Sequence, residues 1–479
     1  MKKWSVVGLV ALLGIAGGLS GYLIAASSQA QTPVTYYSHI AGILERNCLN
    51  CHSAGGVAPF SLEDPQRVVR MAAAIKYVVE NDIMPPWPPG PLSPPMLDER
   101  RLSPEEKELI LRWVASGAPL GDPSQRPPSS PPPRPSERTP DRVVIMDPPY
   151  LPNKARSDDY RCFLLDPQLE RDTLVTGYRV YPGQKSLVHH VILFVIGPDA
   201  VSAAEARDRA EPGPGWTCYG GPGLSGVGAN ALSNSLGFWV PGTDGTDFPH
   251  KSARLLRAGS RIVMQVHYHT AHVTQNSYDA TKVHLFLAPE GASLIPLQGM
   301  ILAAPVEIRC PGPYPSDPND PCHREAAMRR AEPDFALLSD AIHQICGTTV
   351  QEYLRRDIGD GSAQRTQCDF RVRQNGLALG VISHMHMRGT ATRIELNPDT
   401  PQAKILLDIP RWDFNWQGNY WFQEPIPLKA GDRVRIVCVY DNSRAIMGPD
   451  RQMVPPRYMI WGEGTLDEMC LGGVAFIRQ

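Results

Sequence analysis

The alternation of apolar and polar positions changes character twice along the chain. Between residues 36 and 120 it reads as helical. Tyr36 to Leu49 and Asp64 to Asn81 are predicted helices. A third opens with Ser103 as N-cap, Pro104 at the first position and Glu105 and Glu106 in the first turn, and runs to about Ser116 before Gly117. Residues 121–141 are rich in proline and serine, which predicts an extended, stiff linker with no core. From Arg142 onward the apolar runs are short and bounded by Gly and Pro. Strands are predicted at Leu174–Val180, Leu187–Ile196, Arg261–Tyr268, Lys282–Leu287, Ala378–Ser383, Thr392–Leu396, Lys404–Asp408 and Arg433–Tyr440. That pattern suits antiparallel sandwiches. The stretch Leu256-Arg257-Ala258-Gly259-Ser260-Arg261-Ile262 is echoed by Leu428-Lys429-Ala430-Gly431-Asp432-Arg433-Val434, each leading into a strand that reaches a tyrosine, Tyr268 or Tyr440. The echo suggests two similar sandwiches, 142–300 and 301–479.

Composition sharpens this picture. A chain of 479 residues exceeds one small core and predicts two to four domains. A net charge of -2 gives no footing for a nucleic-acid partner. Met1-Lys2-Lys3 is basic, Trp4 to Ala26 is apolar and uncharged, and Ser28-Gln29-Ala30 is a small-x-small cleavage pattern. Residues 1–30 therefore read as a signal peptide or a membrane anchor, and the remainder as exported, periplasmic or held outside the cytoplasm at the membrane. No Cys stands at the cleavage position, so a lipoprotein is not expected. Of ten cysteines, Cys48 and Cys51 belong to a motif discussed next. The remaining eight, an even number in an exported chain, predict disulfides without fixing their connectivity.

Cys48-Leu49-Asn50-Cys51-His52 is a C-x-x-C-H sequence. Its two thiols suit thioether attachment of one haem c, with His52 as proximal iron ligand. The competing readings are a redox dithiol or half a zinc site. Met84, in Ile83-Met84-Pro85-Pro86-Trp87, is the preferred sixth ligand, with Trp87 packing on the haem edge; Met71 and Met96 are alternatives. The stretch resembles small class I-type c cytochromes, whose axial Met often lies in a proline-flanked loop.

A second chemistry lies in the strands. His384 and His386 flank Met385 where a buried apolar run ends, and residues two apart on a strand share a face, so both rings suit one metal ion. His189 and His190 are adjacent in another strand, so their rings diverge unless the strand bulges. His267 lies in a third, with His269 or His272 as substitutes. Imidazoles suit copper, zinc, iron and nickel alike; the thioether of Met469 favours Cu(I) over zinc. His250, His284, His323 and His343 read as ordinary surface or supporting residues.

Four motifs occur in order: His189-His190-Val191-Ile192-Leu193-Phe194, Gln265-Val266-His267-Tyr268, His384-Met385-His386 and Asp467-Glu468-Met469-Cys470. Together they resemble the copper type II, ascorbate-dependent monooxygenases, the family of peptidylglycine α-hydroxylating and dopamine β-monooxygenases. The resemblance implies a mainly β fold of two jelly-roll-like antiparallel sandwich domains, here preceded by a small α-helical cytochrome c domain. It implies two copper ions. His189, His190 and His267 would hold the electron-storing one, and His384, His386 and Met469 the oxygen-binding one. It also implies the pairs Cys438–Cys470 and Cys162–Cys218. Proximity in sequence suggests Cys310–Cys322 and Cys346–Cys368.

Two departures bear on substrate. Amidating members carry an Arg two residues before the first His of H-x-H, where this chain has Ile382. They carry Asn and Tyr after the Met-Cys pair, where Leu471, Gly472 and Gly473 stand. Both argue against peptide amidation. The implied activity is hydroxylation of a C–H bond of a small organic substrate by O2, with an electron donor serving the haem. The rival classes are a non-catalytic haem and copper electron-transfer or copper-binding protein, and a cupin-like zinc module. Cupins place a Glu soon after H-x-H, whereas the first acid here is Glu395.

Overall fold

The computed structural model describes residues 33–479 apart from 55–57, 129–137, 156–157, 219–220, 225–234, 241–242, 244, 271–275, 332, 449–450 and 463, and the backbone alone at 333–336. The expected signal or anchor at 1–30, the centre of the linker and His272 lie outside the described residues.

The chain is mainly β, with several antiparallel sheets, after a helical start. Helices occupy Ala41–Asn47, Pro65–Arg70, Ala72–Glu80 and Pro104–Ala115. The last is closed by a capping box in which Ser103 accepts from the Glu106 amide and Glu106 accepts from the Ser103 amide. The predicted helix over 64–81 is broken at Met71, whose backbone (φ -96°, ψ 3°) leaves helical geometry. Ile40, Leu44, Val68, Ile75, Ile110 and Trp113 form a core for this part.

Residues 87–97 then leave the helices and lie on the C-terminal strands. The Gly90 amide donates to the Asp408 carbonyl (2.6 Å), and the Leu97 amide to that of Trp421 (2.7 Å). Trp87 packs edge-on to Tyr420 at 5.5 Å between ring centroids. Met96 is 2% exposed, bridges Phe422 and belongs to the C-terminal core, so it is removed from the candidate iron ligands.

Two pairs of sheets follow. In the first pair, one sheet carries Arg142–Ile145, Lys282–Leu287, Thr173–Tyr181, Ser252–Leu256 and Ile295–Pro296 in spatial order. Its partner carries Trp216–Thr217, Asp158–Leu165 (β1), Arg261–His269 (β3), Val188–Ile196 (β2) and Ser235–Trp239. Val175, Tyr178, Val191, Leu193, Met264 and Val266 pack between them. In the second pair, Gln298–Ala303, Leu471–Arg478 (β5), Gly376–His384 (β4) and Tyr420–Leu428 face Gln364–Arg371, Arg433–Tyr440, Gly389–Leu396 and Lys404–Ile409. Gln298–Ala303 already pairs with β5, so the change of sheet falls just ahead of the expected split at residue 300.

The sequence echo marks equivalent corners. At each, a strand of one sheet ends in a buried leucine, Leu256 or Leu428, and the chain turns into the facing sheet at Ile262 or Val434. The turns need Gly259 (φ +71°) and Gly431 (φ +95°) in the left-handed region. Strand Tyr420–Leu428 escaped sequence reading because Pro425 and Pro427 interrupt it. It lies at the edge of its sheet, where missing donors are tolerated.

Disulfides join Cys162 to Cys218, Cys310 to Cys322, Cys346 to Cys368 and Cys438 to Cys470. Four such bonds belong to an oxidising, extracytoplasmic setting. Cys48 and Cys51 take part in no disulfide. No helix among the described residues is long and apolar enough to cross a membrane.

Candidate metal centres

The first centre grows from a fault in a strand pair. Val188 opposes Tyr268 and His190 opposes His267, so the register of β2 against β3 shifts between Val188 and His190, leaving His189 as the extra residue. The shift re-aims the His189 ring, so both adjacent imidazoles reach one point, as the sequence required. Nδ1 of His190 stands 3.4 Å from Nδ1 of His189 and 3.4 Å from Nδ1 of His267. Three nitrogens each ~2.0–2.1 Å from one ion would be roughly 3.3–3.6 Å apart. Among the described residues, these three are the group whose ligand atoms converge, all within 4.8 Å of one another.

Asp158, at the start of β1, completes this centre. Its carboxylate lies 2.8 Å from His267 Nε2, so a proton there leaves Nδ1 free for the ion. His269, the alternative ligand, turns its Nδ1 to the same carboxylate at 3.4 Å. Burial opposes charge on Asp158, but hydrogen bonds from His267 and His269 outweigh it and hold the carboxyl well below its ordinary range. Tyr160 stacks on His267 at 4.1 Å.

The second centre lies where β4 runs out. His384 is its last residue, Met385 is buried in the core, and the rings of His384 and His386 stand 4.9 Å apart. Nδ1 of His384 bonds Gln417 Oε1 (2.6 Å) and Nδ1 of His386 bonds the Asp467 carbonyl (3.2 Å), leaving both Nε2 atoms for an ion. Met469 lines the same cavity as both rings. Its carbonyl accepts from Tyr440 Oη (2.9 Å), and its neighbour Cys470 is held by Cys438.

Glu468 is fully buried and ties the two parts together. Its carboxylate accepts from the amides of His386 (2.9 Å), Arg388 (2.5 Å) and Met469 (3.3 Å). Burial pushes its carboxyl up to about 8, against the pull of those amides and that of Gly389. All five candidate imidazoles are shifted down by burial, His189 to about 3, and are neutral at pH 7, the form that binds metal.

The two centres share one cavity of about 200 Å³. Phe414 stands between them, stacked on His189 (5.2 Å) and edge-on to His386 (5.8 Å). His250 bonds the Phe422 carbonyl (3.1 Å) across the halves, and His343 is buried against Glu307 (3.2 Å). Both are supporting residues, the second of the two roles expected for them.

At the C-x-x-C-H motif, the Cys51 and His52 amides both donate to the Cys48 carbonyl. His52 Nδ1 lies 3.2 Å from the Phe60 carbonyl, which leaves Nε2 free for an axial bond. That fits a haem ligand. Met84 is half-buried, with its amide donating to the Val78 carbonyl. Met71 packs against the helical core.

Sequence reasoning missed Asp158, Gln417, Phe414 and Glu468. Glu468 had a signal, since it stands within the Asp467-Glu468-Met469-Cys470 motif directly before the Met-Cys pair; the others depend on register and loop packing.

No family model matches the chain, and no curated protein matches it. Among solved structures, a latent PorU dimer from Porphyromonas gingivalis is 9% identical, covering 69% of this chain and 25% of its own, at a TM-score of 0.14. A Paenibacillus xanthan lyase is 10% identical over 74% and 28%, at 0.13. An oxalate decarboxylase from Bacillus subtilis is 7% identical over 71% and 78%, at 0.12. The chain thus spans only about a quarter of the first two. Likeness at this level carries no argument for fold or function.

Proposed function

We propose that this protein is an exported copper-dependent monooxygenase. It hydroxylates a C–H bond of a small organic substrate with O2, and its electrons arrive through a haem c on the helical part. One observation carries the reading: His189 and His190 of the three-histidine set line the same cavity as His384, His386 and the thioether Met469, all four imidazoles being neutral. On this reading the β region is two jelly-roll-like sandwich domains of the copper type II monooxygenase kind, and residues 36–120 are a cytochrome c-like domain.

Copper at the two centres would supply oxygen activation and one-electron transfer, and haem on Cys48, Cys51 and His52, with Met84 as the preferred sixth ligand, would supply the electrons. The balance is one oxygen atom into the substrate and one into water, with two electrons and two protons consumed. His189, His190 and His267 hold the first ion, and Asp158 fixes the His267 tautomer. His384, His386 and Met469 hold the second, and the soft sulfur favours the reduced ion. Glu468 keeps the His386 turn and Met469 in mutual register. The apolar cavity walls exclude water from the reacting atoms.

The test is metal analysis and copper EPR on haem-loaded protein, with two type 2 coppers per haem expected. Met469→Ile should abolish oxygen-dependent product formation while the three-histidine copper remains. Unchanged turnover would overturn the assignment.

A further inference from the structure

The shared cavity has a composition that selects. Its walls include Leu236 and Phe238 from the first half and Met300, Ile382, Trp421 and Val474 from the second. No Asp, Glu or Lys lines it among the described residues, and Arg254 is the one permanently charged side chain. Arg254 Nη1 donates to the Leu297 carbonyl at 3.0 Å. An ammonium group entering here would find no counter-ion, and a buried unpaired charge is strongly disfavoured.

Size narrows the class. An apolar cavity of ~150 Å³ is known to hold benzene. This one, at about 200 Å³, has room for a single ring with a short substituent. Gly473 keeps it open: a Cβ there would sit 3.1 Å from Cγ2 of the wall residue Ile382.

We infer that the substrate is a non-cationic, largely hydrocarbon molecule of single-ring size. This rests on the monooxygenase reading of the same cavity, which supplies the oxidant. The aromatic walls at Phe238, Phe414 and Trp421 suit an aromatic or alicyclic ring.

The experiment is equilibrium binding by calorimetry on the full-length, haem-loaded protein, with three probes of similar size: ethylbenzene, acetophenone and phenethylammonium. The neutral pair should bind at least 30-fold more tightly than the ammonium probe. Met300→Trp, which fills the cavity, should remove binding of both neutral probes. Equal or tighter binding of phenethylammonium to the unmodified protein would overturn the inference, and that arm needs no variant to fold. Copper content and EPR of the same samples are independent of it. Neutral-probe selectivity without copper would sink the monooxygenase reading alone, and two coppers with preference for the ammonium probe would sink this inference alone.

Discussion

The two candidate centres differ in what holds them. The three-histidine centre is built into a sheet: His190 and His267 are cross-strand partners and His189 is the residue displaced by the bulge. The other centre stands at a strand end and in loops. His386, Met469 and Gln417 lie outside the long strands, and a buried carboxylate draws two of them together. A sheet supplies rigidity at the cost of one irregular pair. A loop site needs a dedicated tie, and its ligands retain freedom that a centre changing its bound groups requires.

The sharpest way to break the comparison is Glu468→Ala. It leaves several buried amides without an acceptor, a loss of about 3 kcal/mol or more. Thermal unfolding should show the destabilisation. Metal analysis should show loss from the Met469 centre with the three-histidine centre still filled; simultaneous loss from both would deny their independence. The reciprocal change, Asp158→Ala, frees the His267 tautomer and should weaken metal at the three-histidine centre by roughly 10–100-fold, read by competition with a chelator. The Met469 centre should keep its affinity.

Acid discriminates more gently. His189 is held at about 3, below its ordinary 6.5, so the unfolded chain binds more protons between those values. Stability of the metal-free protein is therefore fully present above pH 6.5 and falls as pH drops towards 3. For this one group the loss is about 2 kcal/mol at pH 5. Unfolding midpoints measured from pH 7.5 to 5 should decline; a flat profile would contradict the burial of these rings. The smallest effect tests the likeness of the halves. Gly259→Ala and Gly431→Ala each force a Cβ into left-handed backbone, costing about 1–2 kcal/mol. Denaturant midpoints should fall by similar amounts.

These contrasts follow what was readable in the sequence. Every site-bearing histidine was legible, because H-x-H and His-His inside apolar runs announce themselves. Even the bulge at His189 was required in advance by the alternation of side chains. The echo at Gly259 and Gly431 foretold matching corners. Asp158 was hidden, since its strand was not recognised and only the β1–β3 register brings it near His267. Phe414 and Gln417 come from a loop whose path no periodicity encodes. The helix at Pro198–Ala210 went unread because its residues are mostly polar and only Ala204 is buried. Met96 misled for the opposite reason: a methionine after a haem motif invites an iron bond, but the chain spends it on packing in a distant sheet.

That last detail has a practical side. A shortened version starting after the proline-rich stretch would delete a side chain from the interior of the portion it keeps, along with the backbone donors that cover Asp408 and Trp421. Expression of the β portion by itself should give an aggregation-prone product, whereas supplying the first 120 residues as a separate polypeptide should restore a well-behaved complex.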